Sequence, residues 1–287
     1  MLRARRALEW AARANLLLAV SMAAATWMLY VLLEMPVQPR VPAIVGLVFY
    51  GVYAMDRAAD HGDDAHTHLE RARFSRAHAG RMWGTALTAY AAALVLAVPL
   101  GVRGVAAALL PIAALLLYSF RLVPPWLARR IGVSRVKEVL VLKNVWVAAT
   151  LAGTPTLLMA AARDAASGAP ALWPAAAFLF GRWWINTLLF DVRDEAGDRR
   201  NGLRTVPVAL GRARTLRLLH AANAALGAAV LAAALSGAIP ARMALLAASS
   251  LYAAWYLHRM QAAGDPHFLC DVVADGELLV QAGVVLA

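Results

Sequence analysis

Runs of about 20 mostly apolar residues recur from Leu8 to the C-terminus, and at about 1.5 Å per residue each can cross roughly 30 Å of hydrocarbon as a helix. Nine such runs lie near 10–33, 41–60, 82–99, 102–120, 138–161, 171–190, 215–236, 241–259 and 268–287. The pattern predicts an all-α polytopic membrane protein: a bundle of about nine transmembrane helices around a central cavity, with residues 1–287 forming one integral-membrane domain. Connections such as 34–40 and 101–104 are short, whereas 61–80, 121–137 and 191–214 are longer and carry most of the charge, so no soluble domain fits between the runs. Arg3, Arg5 and Arg6 resemble the start of a signal peptide, but the run behind them is long enough to span and lacks a clear cleavage site. Alanine-rich stretches such as 221–234 read as small residues that let helices approach closely.

Composition agrees, since 62% of the residues are hydrophobic and the chain is too apolar for one soluble core. The net charge of +11 would suggest nucleic acid until the basic residues are placed. With the N-terminus cytoplasmic, only Arg40, Arg103, Arg163 and Arg242 fall on the far side, leaving 24 of the 28 Lys and Arg on or near the cytoplasmic side. Such asymmetry predicts N-in, C-out, an active surface facing the cytoplasm, the lipid bilayer as partner, and no nucleic acid. No obligate protein partner is implied. The single cysteine, Cys270, reads as helix filling.

Two acidic clusters stand out, ending the second and sixth runs and so facing the same compartment. In the first, Asp56, Asp60 and Asp64 sit at i, i+4 and i+8 and share a helical face, each step turning by about 40°, although Gly62 can end the helix before Asp64. Phe49 and Tyr53 extend that stripe into the membrane. In the second, Asp191, Asp194 and Asp198 sit at i, i+3 and i+7, within about 60° of one another, with Trp184 and Thr187 on the same face. Clustered carboxylates at a membrane boundary repel one another and lose water, so a cation should offset them. Magnesium prefers oxygen ligands and bridges carboxylates to substrate phosphates, which predicts two acidic walls facing one diphosphate. Departure of that diphosphate from an allylic carbon leaves a cation that aromatic faces stabilise. The competing reading makes these aspartates solvated helix ends paired with Arg57, Arg193 and Arg199.

These residues resemble the UbiA-type intramembrane prenyltransferase superfamily, whose members carry an Asn/Asp-xxx-Asp-xxx-Asp motif after the second helix and a related motif after the sixth. Asp191-xx-Asp194-xxx-Asp198, followed by Gly202-Leu-Arg-Thr205-Val-Pro207-Val and Gly211, is similar to the second motif and its tail. The first motif fits two registers: Asp56 in the usual place of Asn, followed by Asp60 and Asp64, or Val52 in that place with Asp56 and Asp60 as the acids. The first register also aligns Arg71 with the arginine that follows the motif, while Leu69 stands near where a proline is usual.

The resemblance implies transfer of an isoprenoid chain from an allylic prenyl diphosphate to a small-molecule acceptor, expected to be aromatic, or else cyclisation of the diphosphate alone by a related terpene cyclase. It implies Mg2+ held by Asp56, Asp60, Asp64, Asp191, Asp194 and Asp198, with Asp60, Asp191 and Lys143 central to catalysis. It further nominates Arg71, Lys143 and Arg13 for the diphosphate and Phe49, Tyr53 and Trp184 for the isoprenoid. Lys143 lies about two turns inside the fifth run, where a lysine is costly unless it faces a polar cavity or snorkels. Arg182, within the sixth run, either binds an acceptor or pairs between helices. Asp271, Asp275 and Glu277 either pair with Lys143 or Arg182 or line a cavity. His61, His66, His68 and His78 read as solvated loop histidines rather than a zinc site.

Overall fold

A computed structural model of the chain describes residues 2–59, 69–119, 140–163, 171–262 and 265–286. Its regular elements among those residues are all helical. The first, α1 (Leu2–Arg13), places Arg3, Arg5, Arg6, Glu9 and Arg13 among alanines and is too polar to enter hydrocarbon. The backbone then breaks at Asn15, whose φ of 61° is left-handed, and α2 (Leu16–Leu32) leaves at 83° to α1. The first apolar run, expected to begin near residue 10, therefore starts its helical crossing at Leu16.

Six further long helices follow: α3 (Arg40–Ala59), α4 (Leu69–Ala97), α5 (Gly101–Ser119), α6 (Leu142–Ala161), α7 (Leu172–Arg200) and, after the short α8 (Val206–Leu210), α9 (Arg212–Leu235). A 3-10 stretch (Ala241–Ala247) leads into α10 (Ala248–Arg259), and a π-helical stretch (Leu269–Ala274) precedes α11 (Glu277–Leu286). Each expected run thus carries helix. Among the described residues, 40–59, the α4–α5 stretch 72–117, 142–161 and 212–235 are long and apolar enough to cross a membrane, or five stretches with the bent α1–α2 pair. The apolar part of α7 continues into a charged end, and the last two runs are interrupted by 3-10 and π turns.

Packing closes a ring: α2 against α3, α3 against α5, then α5–α6–α7–α9–α10–α11, with α11 returning to α2. Meanwhile α4 packs on α3 and folds back through Val98–Leu100 to α5, where the Tyr90 hydroxyl donates to Ala108 O at 2.7 Å. Small residues set the closest approaches. A Cβ on Gly51 would lie 3.0 Å from Ala86 O, and one on Gly227 would lie 2.8 Å from Ser250 Oγ. The larger hydrophobic cluster joins α2 to α6 and the start of α7, and a second joins the later part of α7 to α9, α10 and residues 269–274. Such a ring leaves its polar groups two places to go: buried pairs between helices, or the central cavity.

Candidate active site

That cavity, about 330 Å³, opens between α2, α3, α5, α6, α7 and the turn after the π stretch. Its apolar wall includes Phe49, Tyr53, Pro111, Trp146 and Trp183, and its polar end carries Asp56, Arg57, Lys143, Asn144, Asp191, Arg193, Asp194 and Asp275. The acidic ends of α3 and α7 therefore line one space. Phe49 is buried with its ring centroid 6.5 Å from that of Tyr53, one helical turn on.

Lys143 stands in the first turn of α6, because that helix begins at Leu142 rather than near residue 138. A cation at a helix N-terminus opposes the macrodipole. Asp191 offsets it: Lys143 Nζ lies 2.7 Å from Asp191 Oδ1, and Asn144 Nδ2 donates to Asp191 Oδ2 at 3.0 Å. Two residues along α7, Arg193 bends so that its Nε and Nη2 donate to the two Asp194 oxygens at 2.8 Å each, while Nη1 pairs with Asp271. Its guanidinium lies 4.6 Å from the Phe190 ring centroid. Asp198 lies beyond the cavity lining, past the apolar part of α7. Burial pushes its carboxyl above the usual carboxylate range, with Lys143 pulling the other way. The Thr205 hydroxyl is buried beside it, and hydrogen bonding to Thr205 also pulls the carboxyl back down.

A hard divalent cation suits this donor set, because the polar end gathers the carboxylate oxygens of Asp56, Asp191 and Asp194. Among the described residues no three His, Cys, Asp or Glu side chains converge closely enough to hold a metal by themselves. Asp60, Asp64, His61, His66, His68 and the Arg71 side chain lie outside the described residues.

Other expected participants are placed elsewhere. Trp184 sits half-buried between the two hydrophobic clusters, and its neighbour Trp183 lines the cavity. The Arg13 side chain approaches Glu9 at 3.9 Å and is absent from the lining; its carbonyl and that of Ala12 accept from Arg57 Nη1 at 3.0 and 2.8 Å. Arg182 is resolved as an interhelical partner: it reaches Glu277 at 2.6 Å, Asn223 at 2.5 Å and Tyr256 at 3.2 Å in the buried core. His78 stacks on Phe74 at 4.5 Å. Asn144, Trp146 and Asn186 were not anticipated as lining residues. The Lys143-Asn144 pair in an apolar run was the available signal, since buried amides need partners.

The fold and this cavity define a polytopic helical membrane protein with a convergent acidic and basic end. The sequence model of the UbiA prenyltransferase family matches residues 43–269, and the chain belongs to that family. Among solved structures, an apo structure of a UbiA homolog from Aeropyrum pernix K1 superimposes with a TM-score of 0.64 at 14% identity, covering 93% of this chain and 96% of that one. At that identity the likeness speaks for the fold. None of the curated proteins compared with the chain matches it.

Proposed function

We propose that the chain is a magnesium-dependent intramembrane prenyltransferase, moving an isoprenoid chain from an allylic prenyl diphosphate to a small aromatic acceptor. One observation carries the reading: Asp56 of α3 and Asp191 and Asp194 of α7 line the same cavity as Lys143, directly beside aromatic walls. Asp56, Asp60, Asp64, Asp191, Asp194 and Asp198 would hold the metal. Bound magnesium would neutralise the diphosphate and make it a good leaving group.

The chain's own residues supply the rest. Lys143 offers its ammonium to diphosphate oxygens, and Asn144 keeps Asp191 oriented when that ammonium turns to substrate. Arg71 is assigned to the same anion. Phe49 and Tyr53, joined by Trp146 and Trp183, present ring faces to the allylic cation and exclude water. The positive-inside asymmetry of the loops supports an N-in, C-out orientation with the polar end open to the cytoplasm.

The test is a matrix of prenyl diphosphates against aromatic acceptors, with purified protein and magnesium, scored by diphosphate release and product mass. Transfer predicts a prenylated acceptor and no release after chelation. A cyclic hydrocarbon or alcohol from the diphosphate alone would replace transfer with cyclisation. No magnesium-dependent release from any member, with Asp191→Ala indistinguishable from the native chain, would overturn the enzyme reading.

A further inference from the structure

Arg193 chelates the carboxylate of Asp194 next to it, although neighbouring residues on a helix do not face each other. Two contacts bend it into place. The Phe190 ring lies under the guanidinium, and Asp271 takes the remaining nitrogen. Asp271 comes from the π-helical stretch, where Asp275 N bonds Cys270 O five residues back at 3.1 Å. Single π turns of this kind often re-aim side chains at functional sites. The guanidinium side chain is 3% exposed, whereas Asp194 and Asp271 are 23% and 24% exposed, so the cation is sealed while both carboxylates are partly reached by solvent.

We propose that Asp271 is a positioning residue that retains Arg193 when Asp194 releases it to take a divalent cation. This rests on the reading of Asp194 as a metal ligand. In the metal-free state one buried cation serves two carboxylates. When Asp194 turns to the metal, Arg193 and Asp271 remain as a neutral pair, and no charge is left buried alone. Without the Asp271 carboxylate, the same exchange would leave the sealed guanidinium with no directly bonded carboxylate and only the more distant Asp275 to offset it, a costly state. Asp271 thereby favours metal binding without touching the metal.

The experiment titrates Mn2+ alone into detergent-purified full-length protein and follows free Mn2+ by electron paramagnetic resonance. Asp271→Asn is expected to weaken Mn2+ binding about tenfold or more, since breaking one side of a buried pair is strongly unfavourable. In an Arg193→Gln background, adding Asp271→Asn should change binding by less than about twofold, because no guanidinium remains to retain. That double variant removes the Arg193–Asp271 pair as a whole and leaves no stranded guanidinium, so it decides the matter even where Asp271→Asn does not fold. A purely structural role for Asp271 would impose the same loss in both backgrounds, and that result overturns the proposal. So does Asp271→Asn binding like the native chain while Asp194→Asn binds weakly. If the native chain binds Mn2+ and Asp194→Asn binds it equally well, the ligand reading of Asp194 itself fails, a distinguishable outcome.

Discussion

Replacing Glu277 by glutamine tests whether the bundle depends on the buried ion pair between α7 and α11. Arg182 on α7 and Glu277 on α11 have side chains 2% and 4% exposed. The Glu277 carboxylate accepts from Arg182 Nη2 and from the Tyr256 hydroxyl, both at 2.8 Å. Glu277→Gln preserves the shape but removes the negative charge, and it leaves a single amide oxygen facing two donors. The guanidinium then relies on Asn223 and Tyr256, neither of which carries charge. Removing one partner of a buried pair costs about 3–5 kcal/mol. At about 2–4 °C per kcal/mol, the melting temperature should fall by roughly 6–20 °C. Thermal unfolding of the detergent-purified protein, followed by tryptophan fluorescence and by loss of the monodisperse peak, reads this directly. The double variant Arg182→Met/Glu277→Leu should recover most of the loss, because apolar side chains of similar volume remove the stranded charge. A Glu277→Gln protein that melts within about 2 °C of native would refute the reasoning, as would a double variant no better than the single.

Three further substitutions probe the site and the bundle separately. Lys143→Met removes the ammonium 2.7 Å from Asp191 and should lower magnesium-dependent diphosphate release by about 100-fold or more; release within about threefold of native would take Lys143 out of the anion site. Gly227→Leu pushes a side chain into Ser250 at a point where even a Cβ would sit 2.8 Å from the hydroxyl, and overpacking of this kind should destabilise α9 against α10 by about 1–3 kcal/mol, read as a lower melting temperature. Arg57→Gln frees the carbonyls of Ala12 and Arg13 and should expose 2–15 to faster amide exchange and proteolysis, with exchange in α6 unchanged.

Much of the fold was legible as runs. Twenty apolar residues have few options in a bilayer, because every backbone group must be satisfied within the segment, and so the helices lie where the runs predict. Boundaries were less legible. The break at Asn15 and the start of α6 at Leu142 depend on backbone conformations that hydropathy does not register, and the second of these moved Lys143 from two turns deep to a helix N-terminus.

The sequence alone determined that this is a helical membrane protein of the UbiA type, and it singled out two acidic helix ends, Lys143 and the aromatic stripe at Phe49 and Tyr53. Periodicity along a single helix carries that much, because it depends only on local geometry. Tertiary structure decided which charges meet. It placed Asp191 with Lys143 and Asn144, gave Glu277 to Arg182, brought Asp271 to Arg193, and put Trp183 rather than Trp184 on the cavity wall. These partners lie on different helices, up to 95 residues apart for Arg182 and Glu277, and only closure of the ring determines which buried cation each carboxylate can reach.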